Sequence, residues 1–387
     1  MSRPICPIRA ARAAALSVLP LTLAVALAAA PPALADSATD RLEADLQAFF
    51  AGEGTLEIGD ISSALLRSRV TAEDLRFESH DGERLSVDRY VVSGDYDAPD
   101  EVTLEGIRLE AFLDEPAVMG IERVVLSDPG RAVPPRDEEA LAEQWLGGLV
   151  LSGLNLELAE GSVASLASLR LDGDLEDGSG GLWIEALELD LARMIDQAPA
   201  EERTRLRMIS NVLTDGSGRL RLDAAFDAEW EEHDDHARLA SEGYIDLVDA
   251  LRLAHAVTLP VRLPEGVNAA DLFTDETLLE AATLLGGELS LTLGDRGLFP
   301  RLVTLGAAMG GVTESQYLEQ ARTQAQGFGM MFGPQVQNLL SGLVALMEGS
   351  AETLELTVTL PAESRLDSLA DDPLALPERL DLRVETR

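Results

Sequence analysis

The sequence predicts an α+β protein, a mostly antiparallel, twisted β-sheet of groove-like meanders packed with several leucine-rich helices. Three observations predict it. Runs such as "RLSVDRYVVSG" and "VTLEGIRLEAF" alternate apolar and polar residues with period two. Gly and Asp-Gly punctuate those runs where a hairpin needs a turn. Stretches with a helical period of 3.6 intervene at only a few places.

The first 35 residues are set apart. Arg3, Arg9 and Arg12 precede an apolar run from Ala13 to Ala30, and the small-residue site Ala33-Leu34-Ala35 precedes Asp36. This is the pattern of a cleavable secretory signal, and the expected location is the periplasm. A membrane anchor is the other reading of the run, but Pro20 and the A-x-A site favour cleavage. The lone cysteine, Cys6, lies within the signal, so the exported chain must hold together by core burial alone.

Residues 36–130 comprise a helix and a first meander. Leu42, Leu46, Phe49 and Phe50 recur at helical spacing behind Ser37 and Thr39, and Gly52 and Gly54 end the helix. From 55 to 127 the period is two. A connector at 131–148 contains Pro134 and Pro135, with Asp137 to Glu139 opening a short helix, and forms a candidate boundary, though a crossover connection within one sheet would look the same. Residues 149–296 form a second β-rich region with helices. It opens with strands through Met194, Pro199 starts a helix at 199–213 on the stripe Leu206, Ile209 and Leu213, and the period of two then returns. A further helix is expected at 268–286, with Asn268 as cap and Leu272, Leu278, Leu279 and Leu285 inward. Residues 297–387 carry a helical hairpin and a closing strand. Thr313 and Gln316 fit a capping box, "GFGMMFGP" at 327–334 interrupts the helix, and "ETLELTVTLP" is the strand.

The charge is one-sided. There is no lysine, and beyond the signal 27 arginines face 69 carboxylates, a net charge of −42. Such a surface repels nucleic acid, and no electrostatic binding to an anionic membrane surface is expected.

Chemistry is sparse. In "AEWEEHDDHARL", His233 and His236 with their acidic neighbours could ligate a metal if further ligands converged. The flanks alternate with period two, so a solvated hairpin tip is the more economical reading, and "RFESHDGERLSV" around His80 has the same grammar. The remaining histidine is His255. No nucleophile elbow, phosphate loop or dinucleotide fingerprint occurs, so no catalytic residue is assigned and no cofactor is expected. Trp145, Trp183 and Trp230 are too few for a stacking platform and read as core. The remaining candidate is an apolar loop of Phe328, Met330, Met331 and Phe332, which could join Leu154, Leu156 and Leu189 from leucine-rich strands to form a ligand groove.

The serial strands "VTLEGIRLE", "LSGLNLELAEG", "SLRLDGDLEDG" and "GLWIEALELDL" resemble the β-repeats of AsmA-like bacterial envelope proteins over about residues 55–260. The resemblance implies a periplasmic protein linked to outer-membrane and lipid homeostasis. The chain departs from that family in its shortness, its cleaved N-terminus and the helices after 297. The expected function is a non-catalytic envelope protein, a β-rich scaffold or a lipid- or amphiphile-binding module, whose partner is lipid or another envelope protein. The alternative is a secreted hydrolase using carboxylates or the His233/His236 cluster.

Overall fold

The computed structural model describes residues 38–64, 68–113, 116–135, 147–173, 178–233, 236–264, 266–269, 277–278, 282–365 and 380–387. The expected signal at residues 1–35, the acidic residues 137–139 and Trp145 lie outside them. Helix α1 (Ala38–Phe50) leads into β1 (Gly54–Glu57) and β2 (Asp60–Ala64), which lie end to end along β3 (Arg69–Ser79). From there the chain is a meander in which each strand pairs antiparallel with the next. The strands are β4 (Arg84–Gly94), β5 (Pro99–Glu110), β6 (Ala117–Ser127), β7 (Gly148–Leu158), β8 (Gly161–Asp172), β9 (Ser179–Asp190), β10 (Arg219–Glu232), β11 (Ala237–Leu247) and β12 (Leu251–Arg262). Beyond β12 come β13 (Thr283–Leu285) and β14 (Glu288–Asp295), then β15 (Thr353–Thr359) and β16 (Ala362–Ser364), and last β17 (Asp381–Thr386). All seventeen strands belong to one sheet.

Strand residues of this sheet would alternate faces without exception if the ladders were regular. They are not. At one level of β3, β5, β7 and β9 stand Asp74, Gly106, Gly153 and Ala186, with φ of 54°, 63°, 66° and 50°. On the strands between, the pairing passes over Asp88, Glu122 and Ala167 at the same level. Apolar residues on either side of this level are three apart: Ala72 and Leu75, Val87 and Tyr90, Leu104 and Ile107, Ile121 and Val124, Leu151 and Leu154, Leu166 and Leu169, Ile184 and Leu187. The additional residue keeps the apolar set on one face at both ends of each strand and creases the sheet transversely. Glycine fits two of these positions closely: a Cβ on Gly106 would stand 2.0 Å from Asp88 Oδ2, and one on Gly153 2.4 Å from Glu122 Cγ, so those side chains would have to move.

Helices cover the apolar face at its two ends. At the first, Leu42 and Leu46 of α1 bury against Val70, Ala72, Leu75, Val87, Tyr90 and Val92. Two tyrosines anchor this end: the Tyr90 hydroxyl donates to the Ala132 carbonyl at 2.6 Å, and that of Tyr96 to Asp45 Oδ2 at 2.7 Å. At the far end α4 (Leu298–Gly310), α5 (Glu314–Phe332) and α6 (Pro334–Glu348) form a bundle, and α6 lies on β15 and β17. A Cβ on Gly342 would meet Leu354 Cδ1 at 2.4 Å, which is how closely α6 sits on the sheet. Leu346, at 0% exposure, and Leu354 centre that cluster. Between the ends, α2 (Leu191–Gln197) follows β9 directly and touches β8 and β10, and α3 (Ala200–Leu213) links α2 to α4.

Four details differ from the sequence reading. The connector at 131–148 joins adjacent strands, since β6 pairs with β7 along its length, so the sheet does not divide there. The strand expected through Met194 becomes helix α2 at Leu191, where the Asp190 side chain accepts a bond from the Arg193 N–H and stops the ladder. Of the helix expected at 268–286, residues 277–278 are helical, but 283–285 are strand β13, with Leu284 buried opposite Val261; Leu272 and Leu279 lie outside the described residues. Finally, "GFGMMF" does not interrupt a helix: α5 starts at the Thr313 capping box and runs through Phe332, and only Gly333-Pro334 breaks it. Gly329 is retained there because α6 crosses closely, a Cβ falling 2.4 Å from Gln337 Cβ.

Candidate functional site: an uncovered aliphatic face

The registers align the inward residues of successive strands into rows that cross the sheet. One row runs Ala72, Tyr90, Leu104, Val124, Leu151, Leu169, Ile184, Ala224, Ile245, Leu253, Leu293 and Leu354, from β3 to β15. The neighbouring row carries Val92, Val102, Leu126, Leu149, Leu171, Leu182 and Phe226. Across the crease, Ile107, Ile121, Leu154, Leu166, Leu187, Leu222 and Leu247 form a third, and Met119, Leu156, Ala164, Leu189 and Leu220 a fourth.

Burial along a row is uneven. Ala72 and Tyr90 are 0% and 5% exposed under α1, and Leu354 is 4% exposed under α6. Between them, on β7, β8 and β9, none of the residues in the four rows is buried, and Leu171 is 40% exposed. The opposite face is conventionally polar there: Arg170 pairs with Asp172 at 2.9 Å and its guanidinium lies 4.7 Å from the Trp183 ring centre. An antiparallel sheet normally solvates one face and buries the other. Here the solvated face is charged, and the face that ought to be buried is, among the described residues, only partly covered in its middle.

Leu154, Leu156 and Leu189 all lie on this face, Leu156 and Leu189 on either side of Ala164 in one row and Leu154 in the next. Phe328, Met330, Met331 and Phe332 lie on α5, which packs on α4 and α6. Phe328 and Phe332 stack at 6.1 Å. The aliphatic rows on β6 to β9 were the feature the sequence reading named only in part; the break from spacing two to spacing three in each strand was the signal that would have aligned them.

The polar candidates resolve differently. His233 and His236 occupy the β10–β11 connection, with ring centroids 4.7 Å apart and the His233 N–H donating to the His236 carbonyl at 2.8 Å. His80 occupies the β3–β4 connection. Among the described residues no group of three or more His, Cys, Asp or Glu could hold a metal ion. His255 faces into the rows, stacked on Phe226 at 5.7 Å over Gly243, with Ser241 Oγ 3.2 Å from its Nε2. A polar pocket on the charged face gathers Arg76, Arg84 and Arg108 with Glu57, Glu78 and Glu110. Arg84 and Arg108 both reach Glu110, at 2.6 and 2.7 Å, and the bond from Arg108 is the main cause holding that carboxyl below its usual range. With three arginines and three glutamates the formal charges of the pocket balance. Trp230 is core, at 8% exposure.

Fold and face together define a class: a single creased antiparallel sheet whose aliphatic side is buried under helices at its ends and, among the described residues, less covered between them. A family model described as "Uncharacterized protein" matches residues 245–387, from the end of β11 through the helical bundle to β17. No curated protein matches the chain. Among the described residues no helix is long and apolar enough to cross a membrane.

Proposed function

We propose that the protein is a non-catalytic envelope protein, exported by its N-terminal signal, that binds the acyl chains of lipids or similar amphiphiles in a groove along the open aliphatic face. One observation carries the reading: rows of leucine with Ile184 and Ala164 continue across β7, β8 and β9, and among the described residues none of these side chains is buried. Water is a poor cover for such a surface, since each buried methylene contributes about 0.8 kcal/mol. A flexible chain without hydrogen-bonding needs suits a surface that offers none. The Ser241–His255 pair, at the edge of that face, supplies a polar point where a head group could stop.

The test is the protein recovered from cells under mild, detergent-free conditions. Native mass spectrometry should show retained lipid, and Leu151→Asp with Leu169→Asp should lose it while the far-ultraviolet circular dichroism is unchanged. Wild-type protein that carries no lipid and gives no saturable response to fatty-acid or phospholipid probes would leave the scaffold role alone.

A further inference from the structure

We infer that the apex of the α5–α6 hairpin is a docking point for a lipid bilayer, entered by Phe328, Met330 and Met331. A quarter of the chain's residues are charged, 26%, so a stretch of 25 residues would carry about six charges; residues 323–347 carry none. The charges that bound this stretch close on each other. Arg322 on α5 donates to Glu348 at the end of α6 at 2.7 Å, and to Glu319 at 2.9 Å. Beyond that clasp the two helices run uncharged to their turn at Gly333 and Pro334.

The exposed large apolar side chains of the hairpin are concentrated at its apex. Met330, Met331 and Phe328 are 84%, 73% and 49% exposed. Polar but uncharged residues, Gln324 and Gln326, are also exposed and sit further from the turn, and Asn338 lies at about the level of Phe328. This is the ordering an interfacial helix uses, with apolar side chains in the acyl region and neutral polar ones at the head groups. From Phe328 to the turn at Gly333 is about 8 Å along the helix axis, and insertion to a depth of about 5–10 Å is usual for such elements.

A protein partner fits less well. Three side chains on a convex turn offer on the order of 400 Å², about half of what each side of a stable interface contributes. A bilayer demands no shape complementarity. It also explains the missing charges, since the rest of this chain, at −42 beyond the signal, is repelled by anionic head groups. The inference deepens the lipid-binding reading by naming where the protein meets the membrane, but it stands on a different element, so the two can fail separately.

The experiment is flotation of the protein, as recovered from cells, with vesicles of phosphatidylcholine alone and with vesicles containing phosphatidylglycerol. Wild type should float with the neutral vesicles at both low and high salt. Met330→Asp with Met331→Asp should reduce the floated fraction at least tenfold, and both proteins should melt alike because these positions are exposed. Met330→Trp should shift its added emission to the blue when neutral vesicles are present. Retained lipid in the Met330→Asp, Met331→Asp protein shows that the open face and the apex act independently. Flotation that the double substitution leaves unchanged, or none in wild type, overturns the docking point. So does a concentration-dependent dimer that the double substitution dissociates, which would assign the apex to a second copy of the chain.

Discussion

Asp223 on β10 accepts a 2.7 Å hydrogen bond from the backbone N–H of Ala186 on β9, a residue held at a φ of 50°. The carboxylate takes the place of the ladder partner that the crease removes. Removing it as Asp223→Ala leaves a part-buried N–H without an acceptor, and the stability should fall by about 1–3 kcal/mol in urea unfolding. A change below about 0.5 kcal/mol would show that water replaces the carboxylate freely.

The crease makes a second prediction. Gly153→Ala places a Cβ at a φ of 66° and 2.4 Å from Glu122 Cγ, whereas Gly120→Ala on the adjacent strand meets nothing within 4 Å. Glu122 can swing aside, so the conformational term remains, about 1–2 kcal/mol, against less than about 0.5 kcal/mol for Gly120→Ala. Equal melting temperatures for the two variants would contradict a left-handed residue at 153.

Leucines of the sheet and of the helices on it should differ in worth by their cover. Leu346→Ala, at 0% exposure, removes a packed side chain and should destabilise by about 2–5 kcal/mol. Leu151→Ala, partly buried on β7, should change stability by about 1 kcal/mol in protein stripped of lipid. The same denaturation series in the presence of bound phospholipid should widen the effect at Leu151 only.

Alkaline stability should be limited by the first end of the sheet. Burial pushes Tyr90 well above its ordinary 10.0, and burial, followed by the bond to Asp45, does the same to Tyr96. The folded chain therefore holds protons that the unfolded chain releases above pH 10.0, so stability is complete below that pH and falls as pH rises beyond it. Absorbance titration should show two of the four tyrosines ionising only as the protein unfolds.

His233 is exposed on the β10–β11 connection. His233→Ser should alter stability by less than about 0.5 kcal/mol, and zinc should not shift the melting temperature of wild type. A zinc-dependent rise that the substitution abolishes would establish a cation site at that tip.

Much of the architecture was legible locally. The Thr313–Gln316 capping box placed the start of α5 to the residue, and Pro199 the start of α3, because caps act through backbone groups one turn away. The error at 327–334 has the same root: three glycines look like a breaker, but Gly329 is there for the approach of α6, a partner that local reading does not see. The pairing of β6 with β7 across the connector, and so the continuity of the sheet, depends on contacts between strands, not on the residues of the connector. As for the open face, the inward leucines were visible one strand at a time. Their alignment into rows needed the register, and the register needed the extra residue to be counted at Asp74, Gly106, Gly153 and Ala186.

That extra residue makes the sheet a ruler. It recurs on each strand from β3 to β9, left-handed on every second one, always between the same two rows, so the cross-section of the face is set within each strand and its length only by how many strands there are. Adding or removing a two-strand unit changes the span by about 10 Å and leaves the cross-section as it was. Excision of residues 148–172 would bring β6 against β9 with antiparallel sense preserved, Ile121 facing Leu187 and Val124 facing Ile184, and with left-handed residues still on alternate strands. Such a chain should fold and show a smaller maximum dimension in solution scattering. Length in this architecture is thus an adjustable quantity, open to duplication or loss of a hairpin without redesign of either capped end.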